Sequence, residues 1–308
     1  MYQTKILLDS IAPTGKRITT WELTYPRFVH AELMTHRLFS RNSASSRAIP
    51  VSKMLEKIKT DPALPVFWGK NQAGMQAKEE LSFDYKEKAI KIWLDARDYA
   101  VKQAEELSSL GVHKQIVNRI TEPWMFITVL LTATEFDNWF ALRSHPDAQQ
   151  EIKWVSDDML QKYKSNTPTP LAAGEWHLPL IGEEDIETAS QQQYDSFTKG
   201  KGMDIDAFLK KISTGRCARV SYLTHDGKRD FEKDIELHDR LKESGHWSPF
   251  EHCAQALSKP HKIGNFVGWK QYRKEFENEH HGGSLELLNT GASSIDDLIR
   301  LLYNQSED

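Results

Sequence analysis

Apolar positions recur along the chain with two periods, and the period changes mark the elements. Residues 17–30 read as a strand: Ile18, Thr19, Thr20, Trp21 and Tyr25 suit a pleated surface, and Pro26 interrupts it. Residues 29–37 suit a helix or a tight strand-to-helix passage. Residues 41–46 are a Ser/Asn-rich loop that Pro50 closes, and residues 60–75 form a loop rich in Pro and Gly. From 77 to 109, Ala89, Ile92, Trp93, Ala96, Tyr99, Ala100 and Ala104 recur at helical spacing, with Gly111 placed as a C-cap. Residues 126–134 are β-branched and apolar, a buried strand or helix segment, and 138–159 read as one helix. Residues 164–204 lose the periodicity and carry Pro168, Pro170, Gly174, Pro179 and three consecutive glutamines, as a linker or insertion would. Order resumes with a strand at 218–222, a helix at 230–244 and a helical segment at 262–281. The tail after Gly282 is polar, with one short amphipathic helix near 295–302.

A chain of 308 residues fits one large domain or two ordinary ones. Forty Lys and Arg against 44 Asp and Glu leave a formal charge of −4, unlike a basic nucleic-acid module. Nine Trp and thirteen Phe exclude wholesale disorder. Apolar runs are only a few residues long, too short to span a membrane. The first residues lack the apolar stretch of a secretion signal. Cys217 and Cys253 make no disulfide framework. Together these features predict a soluble, cytoplasmic, globular protein, with an enzyme and a binding protein both open.

Several chemistries are missing from the pattern. There is no G-x-G-x-x-G after a strand, no G-x-x-x-x-G-K-[ST] and no G-x-S-x-G. The pairs His30/His36 and His246/His252 are each six apart, not the four that aligns two ligands on a helix, so no metal site is expected.

Three clusters remain. Residues 35–47 hold His36, Arg37, Arg41 and Arg47 among several hydroxyls. Such a stretch either binds an anion through guanidinium forks and N–H groups or is a solvated polar loop. In the second cluster Arg143, Asp147 and Glu151 fall at i, i+4 and i+8, an ion-pair ladder or one functional helix face. In the third, Ser248, Pro249 and Glu251 can form a capping box, which leaves His246 and His252 unexplained.

These clusters together resemble the flavin-dependent thymidylate synthase (ThyX) family. Its R-H-R-x-x-S-x-N-x-x-S-x-R matches residues 35–47 everywhere except the first Arg, which is Thr35. Its G-H-x-[ST]-P-F-E-H stands at 245–252, its A-R-V-S-Y at 218–222, and its N-x-x-x-L-R with A-Q-x-E-I at 138–152. A weaker match covers Gly111, Val112, Arg119 and Pro123, with Glu122 where the family has Leu. In the family the A-R-V-S-Y and S-P-F-E-H motifs precede R-H-R, whereas here they follow it, so the chain resembles a circular permutation of the family. Residues 266–275 echo 28–37, consistent either with a duplicated ancestor that kept a second scaffold helix or with an unrelated packing helix.

The resemblance implies an α/β (α+β) fold with a central, mostly antiparallel sheet and long helices. It implies a ThyX-like part at 1–160, a linker or insertion at 161–215, and a second ThyX-like part at 216–308. It implies FAD as cofactor, NADPH and methylene-tetrahydrofolate as co-substrates, a nucleotide substrate and a homo-oligomer, dimer or tetramer. By position, His36, Arg37, Asn138, Ser221, Ser248 and Glu251 would contact FAD. Ser45, Arg47, Arg119 and Arg143 would hold the nucleotide. Arg143, His246 and Glu32 would serve catalysis, and no metal is implied.

The departures bear on substrate choice. Glu32 stands where the family has Gln. A carboxylate cannot donate to a uracil carbonyl but can accept from a cytosine 4-amino group, so dCMP joins dUMP as a candidate. The bland alternative pairs Glu32 with Arg47 or Arg273. A flavin-dependent hydroxylase without folate and a non-catalytic nucleotide-binding subunit remain as other readings. Residues 53–80, with Gly69 and Gly74, lie outside the family pattern and suit a lid or a surface loop.

Overall fold

The computed structural model describes residues 2–198, 204–220, 230–277 and 279. In chain order the first half holds β1 (Gln3–Ile11), β2 (Arg17–Pro26), α1 (His30–Met34), β3 (Ser40–Ser43), α2 (Val51–Thr60), α3 (Phe83–Ser109), α4 (Lys114–Val117), β4 (Phe126–Ala133), α5 (Asp137–Arg143) and α6 (Gln150–Ser165). The second holds β5 (Thr169–Pro170), β6 (Trp176–His177), α7 (Glu183–Thr198), α8 (Ile205–Val220), α9 (Phe231–Glu243), β7 (Ala254–Ala256), β8 (Lys262–Ile263), β9 (Phe266–Val267) and β10 (Trp269–Gln271). Short 3-10 turns cover Asn118–Trp124, Ser248–Glu251 and Tyr272–Glu275.

The main sheet runs β3-β4-β2-β1-β5, antiparallel except for the β1–β5 pairing, so the mixed α/β expectation holds. Side-chain alternation gives it two distinct faces. Trp21, Leu23 and Tyr25 of β2 join Ile127, Val129 and Leu131 of β4 against Trp139, Ile152, Val155 and Met159 of α5 and α6. The opposite face carries the cross-strand pairs Thr20–Thr132 and Thr24–Thr128. Leu130, on that same face, clusters with Cys217 of α8, while Met54 and Ile58 of α2 cluster with Trp124 and Met125. Among the described residues no helix is long and apolar enough to cross a membrane.

Helix α8 approaches α9 so closely that a Cβ on Gly215 would lie 2.3 Å from the Asp234 carbonyl oxygen. Arg216 sits at this crossing, bidentate to Asp185 at 2.7 and 3.0 Å and bonded to Asp234 at 3.1 Å. One buried cation thereby ties α7, α8 and α9 together.

Several sequence expectations change. The 41–46 loop begins as strand β3, because the outer edge of β4 offers it a backbone ladder. The single helix at 138–159 is two, α5 and α6, parted by a turn that contains Pro146, where helix continuation would lose a donor. Arg143, Asp147 and Glu151 therefore share no face, and buried Glu151 accepts from Val66 N at 2.7 Å. Residues 218–220 are helical, the last turn of α8, not a strand. The described part of 262–281 forms no α-helix: Gly264 and Gly268 take φ of +63° and +77°, and β10 pairs with β7 instead. The echo of 28–37 thus shares no helix with α1, which removes the retained scaffold helix of the duplication reading. Residues 164–204 hold β5, β6 and α7, two of them paired into sheets. Within 53–80, Trp68 packs edge-on to Trp93 with centroids 6.2 Å apart. The 295–302 helix lies outside the described residues.

Candidate functional site

Strand β3 joins the two motif blocks. Its residues alternate between neighbours. Ser40 Oγ accepts from Gln271 Nε2 at 2.9 Å and Asn265 Nδ2 at 3.0 Å, and Asn42 Nδ2 donates to the Cys217 carbonyl at 2.9 Å. Arg41 between them reaches back to α1, donating to the Met34 and His36 carbonyls at 2.9 and 3.3 Å. About 200 residues of chain thereby close onto one short strand.

Above α1 stands the His36–Arg143 pair. His36 stacks on Phe39 and meets Trp139 edge-on. Burial and the adjacent Arg143 charge hold its pKa down at about 4, so it is neutral near pH 7. Its Nε2 accepts from Arg143 Nε at 3.0 Å, which assigns the ring proton to Nδ1, and the Asn138 side chain is a further partner of the ring. Arg143 Nη2 donates to the Glu32 carbonyl at 3.2 Å and to Thr35 Oγ1 at 3.0 Å. Thr35 thus receives Arg143 where an arginine would repel it. Glu32 Oε2 is buried with no hydrogen-bond partner among the described residues, and neither Arg47 nor Arg273 takes it. Glu32, Thr35, His36, Asn138 and Arg143 form one corner.

The second corner comes from the 245–252 motif. Ser248 is the first residue of a 3-10 turn whose N-cap is Trp247, with no side-chain cap bond, so the capping box does not form. Glu251 instead pairs with Arg273 at 2.6 Å, and Arg273 also contacts Glu279. Arg41 feels both Glu251 and Arg37, the carboxylate favouring its charge and the guanidinium opposing it. Arg41 and Arg273 therefore both act on one carboxylate, Glu251, and Arg37 lies close enough to Arg41 to oppose its charge. His246 is exposed and bonds Ser244 Oγ through Nδ1 at 2.7 Å, away from this cluster's contacts. Ser221 lies outside the described residues.

A third group sits on the loop after β3. Arg47 and Arg119 are exposed, and Ser45 is half-buried. Glu122 takes Arg119 at 2.8 Å, Arg27 at 3.0 Å and the Ser46 hydroxyl at 3.1 Å on the same oxygen. Asn118 holds the loop from below through the Ser46 and Ile49 carbonyls. A cavity of about 270 Å³ opens behind the loop, lined by Thr24, Arg27, Ser46, Met54, Lys57 and Trp124 among others.

Sequence reasoning did not single out the interior polar chain beneath the site. Ser10 Oγ, His177, Thr20 Oγ1, Thr132 Oγ1 and His252 Nδ1 link in series at 2.7–2.9 Å, all buried. Burial lowers both histidines to about 3. Nor did it give Glu122 a role, and it named Arg273 only as a candidate partner of Glu32. Arg41 lay in the matched motif, and Glu122 was visible as a departure from it, whereas no local pattern pointed to Arg273. No group of three or more metal-ligating side chains occurs among the described residues.

Residues 17–169 match the family model described as thymidylate synthase complementing protein (Thy1). No curated protein matches. Among solved structures, the chain is similar to a UMP/dUMP methylase PolB from Streptomyces cacaoi bound with 5-Br UMP. That similarity has 15% identity and a TM-score of 0.46, over 53% of this chain and 88% of that one. The same protein bound with 5-Br dUMP matches at 19% identity and a TM-score of 0.40, over 49% and 68% of the two chains. Through residues 17–169, which carry both the 35–47 motif and Arg143, the chain belongs to the Thy1 family of thymidylate synthase complementing proteins.

Proposed function

We propose that the chain modifies C5 of a pyrimidine deoxynucleotide monophosphate, dUMP or dCMP, with FAD as cofactor. The observation that supports it most is the packing of the Ser248–Glu251 turn against β3, with Arg41 of the 35–47 motif close enough to feel the Glu251 charge, beside a corner that holds a neutral histidine and a carboxylate oxygen with no partner among the described residues. The donor set suits a flavin nucleotide. Arg37 and Arg41 supply charge for a pyrophosphate, His36 and Asn138 a flat polar wall, and Ser248 and Glu251 further polar contacts. When bound, reduced flavin supplies the reducing equivalent, with NADPH and methylene-tetrahydrofolate as co-substrates.

The protein's own groups then divide the work. Ser45, Arg47 and Arg119 hold the phosphate, with Arg119 released from Glu122 to do so. Arg143 Nη1 makes no hydrogen bond among the described residues and remains for the pyrimidine carbonyls. There its fixed charge would stabilise the negative charge on the ring oxygens of the anionic, enolate-like pyrimidine, the form whose C5 is nucleophilic enough to attack an electrophile. Glu32 Oε2 accepts from a ring or exocyclic N–H, which fits the cytosine amino group. His246, exposed near the second corner, would serve the cofactor and one-carbon donor.

The test is incubation of flavin-loaded protein with NADPH, methylene-tetrahydrofolate and either dUMP or dCMP, followed by mass analysis of the nucleotide. A C5-modified product that falls about 100-fold in rate with Arg143→Lys is expected. Unchanged nucleotide in both reactions, with no flavin retained, overturns the reading. Modification that proceeds with oxygen and without folate replaces the transferase with a hydroxylase.

A further inference from the structure

The cavity between α2 and the open end of β2 and β4 shares no lining residue with the Arg143 corner or the 245–252 motif. Its volume of about 270 Å³ is close to the lower end of small-molecule pockets, roughly 300–1,000 Å³. Met54 and Ile58 of α2 and Trp124, Met125 and Phe126 give it apolar walls. Thr24 and Thr128, which also line it, bond each other through their hydroxyls at 2.9 Å. Much of the polar capacity of the sheet wall is thereby used up.

Charge at the edge of the cavity is less well matched. Glu122 Oε1 lies 3.0 Å from Arg27 and 2.8 Å from Arg119, and the Ser46 hydroxyl donates to it at 3.1 Å. Two guanidinium charges thus rest on one carboxylate oxygen, and Lys57, exposed on α2, adds a third cation. Asp61, also on the wall, has a partner of its own. The backbone N–H of Arg27 bonds the Met125 carbonyl at 2.8 Å, which fixes the base of that side chain beside the apolar wall.

We propose that this cavity binds a small carboxylate with an apolar body, a site separate from that of the nucleotide. The head lies on Arg27 and Lys57, and the body lies against Met54, Ile58 and Trp124. Apolar walls alone would accept a neutral ligand, whereas the surplus of positive charge at the edge selects an anion. A doubly charged phosphate would crowd Glu122 and Asp61, so a singly charged head fits better. Arg27 is the group that gives way. When it turns from Glu122 to the ligand, Glu122 keeps Arg119 and Ser46, and no charge is left buried and unpaired.

Calorimetric titration of the full chain with 4-phenylbutyrate tests this, with neutral 4-phenylbutanol as the matched control. One site is expected, binding the acid about tenfold more tightly than the alcohol. Arg27→Gln should weaken the acid about tenfold. Lys57→Gln, at an exposed position that the fold tolerates, should weaken it about threefold. Neither variant should alter binding of the alcohol, and saturating dUMP should leave the acid's affinity unchanged. No binding of the acid at millimolar concentration, or equal affinity for acid and alcohol, overturns the proposal. Displacement of the acid by dUMP overturns it as well, because the cavity would then belong to the nucleotide.

Discussion

The two ends of one strand pair behave in opposite ways. Strands β2 and β4 carry two cross-strand threonine pairs on the same face, Thr20–Thr132 and Thr24–Thr128, with hydroxyls 2.7 and 2.9 Å apart. At the first end the second half of the chain closes over the pair, adding His177 from β6 and His252 from the 245–252 motif. At the other end α2 stands off, leaving the cavity beside Ser46. The same local chemistry is a lock where the chain covers it and a lining where it does not. Burial sets the difference: a dry hydrogen bond is costly to leave unmade, whereas a wet one exchanges with water.

Acid should open the closed end, and this is the largest effect expected. His177 and His252 are neutral in the fold and held near 3, while the unfolded chain titrates near the ordinary 6.5. The unfolded state therefore takes up protons first, and stability falls as pH drops from about 6.5 toward 3. Each histidine contributes a loss of about 3 kcal/mol by pH 4. His30, His36 and His238, each held near 4, act in the same direction. Urea titrations at pH 7, 5 and 4 measure this, and a flat stability across that range refutes the lock.

Substitution at matched positions sharpens the contrast. Thr132→Val strips partners from both Thr20 and His252 and should cost about 1–3 kcal/mol. Thr128→Val, at the open end, should cost under about 0.5 kcal/mol. Equal losses in thermal unfolding would mean that both ends are structural. The smallest effect lies in the open end's charge. Glu122→Gln weakens the hold on Arg119 and Arg27 and should lower the nucleotide KM about threefold, with kcat and melting temperature unchanged. A raised KM would show instead that Glu122 orders the loop for the substrate.

Legibility in the sequence followed how local each feature is. Strand β2, helix α3 with Gly111 just beyond it, and helix α9 capped by Asp230 were readable, because periodicity and capping act over a few residues. Short elements were misread where a distant partner decides. Ser40–Ser43 has the composition of a loop but becomes a strand on β4. Residues 262–281 carry helix-like aromatic spacing, which two left-handed glycines and the pairing with β7 override. The partners of Glu251 and Arg143 were equally hidden, since Arg273 and His36 reach them across 22 and 107 residues.

The sequence by itself determined which groups are available: the arginines, His36, Glu32 and the family motifs that contain them, together with the long helix. Tertiary structure alone decided which of these groups stay unpaired. Arg119 is taken by Glu122 and Glu251 by Arg273, while Glu32 Oε2 is left without a partner among the described residues. Availability is a property of residue type and can be read one position at a time. Whether a charge is spent or held for a ligand depends on which carboxylate lies within about 3 Å of it, and only the folded chain sets that distance.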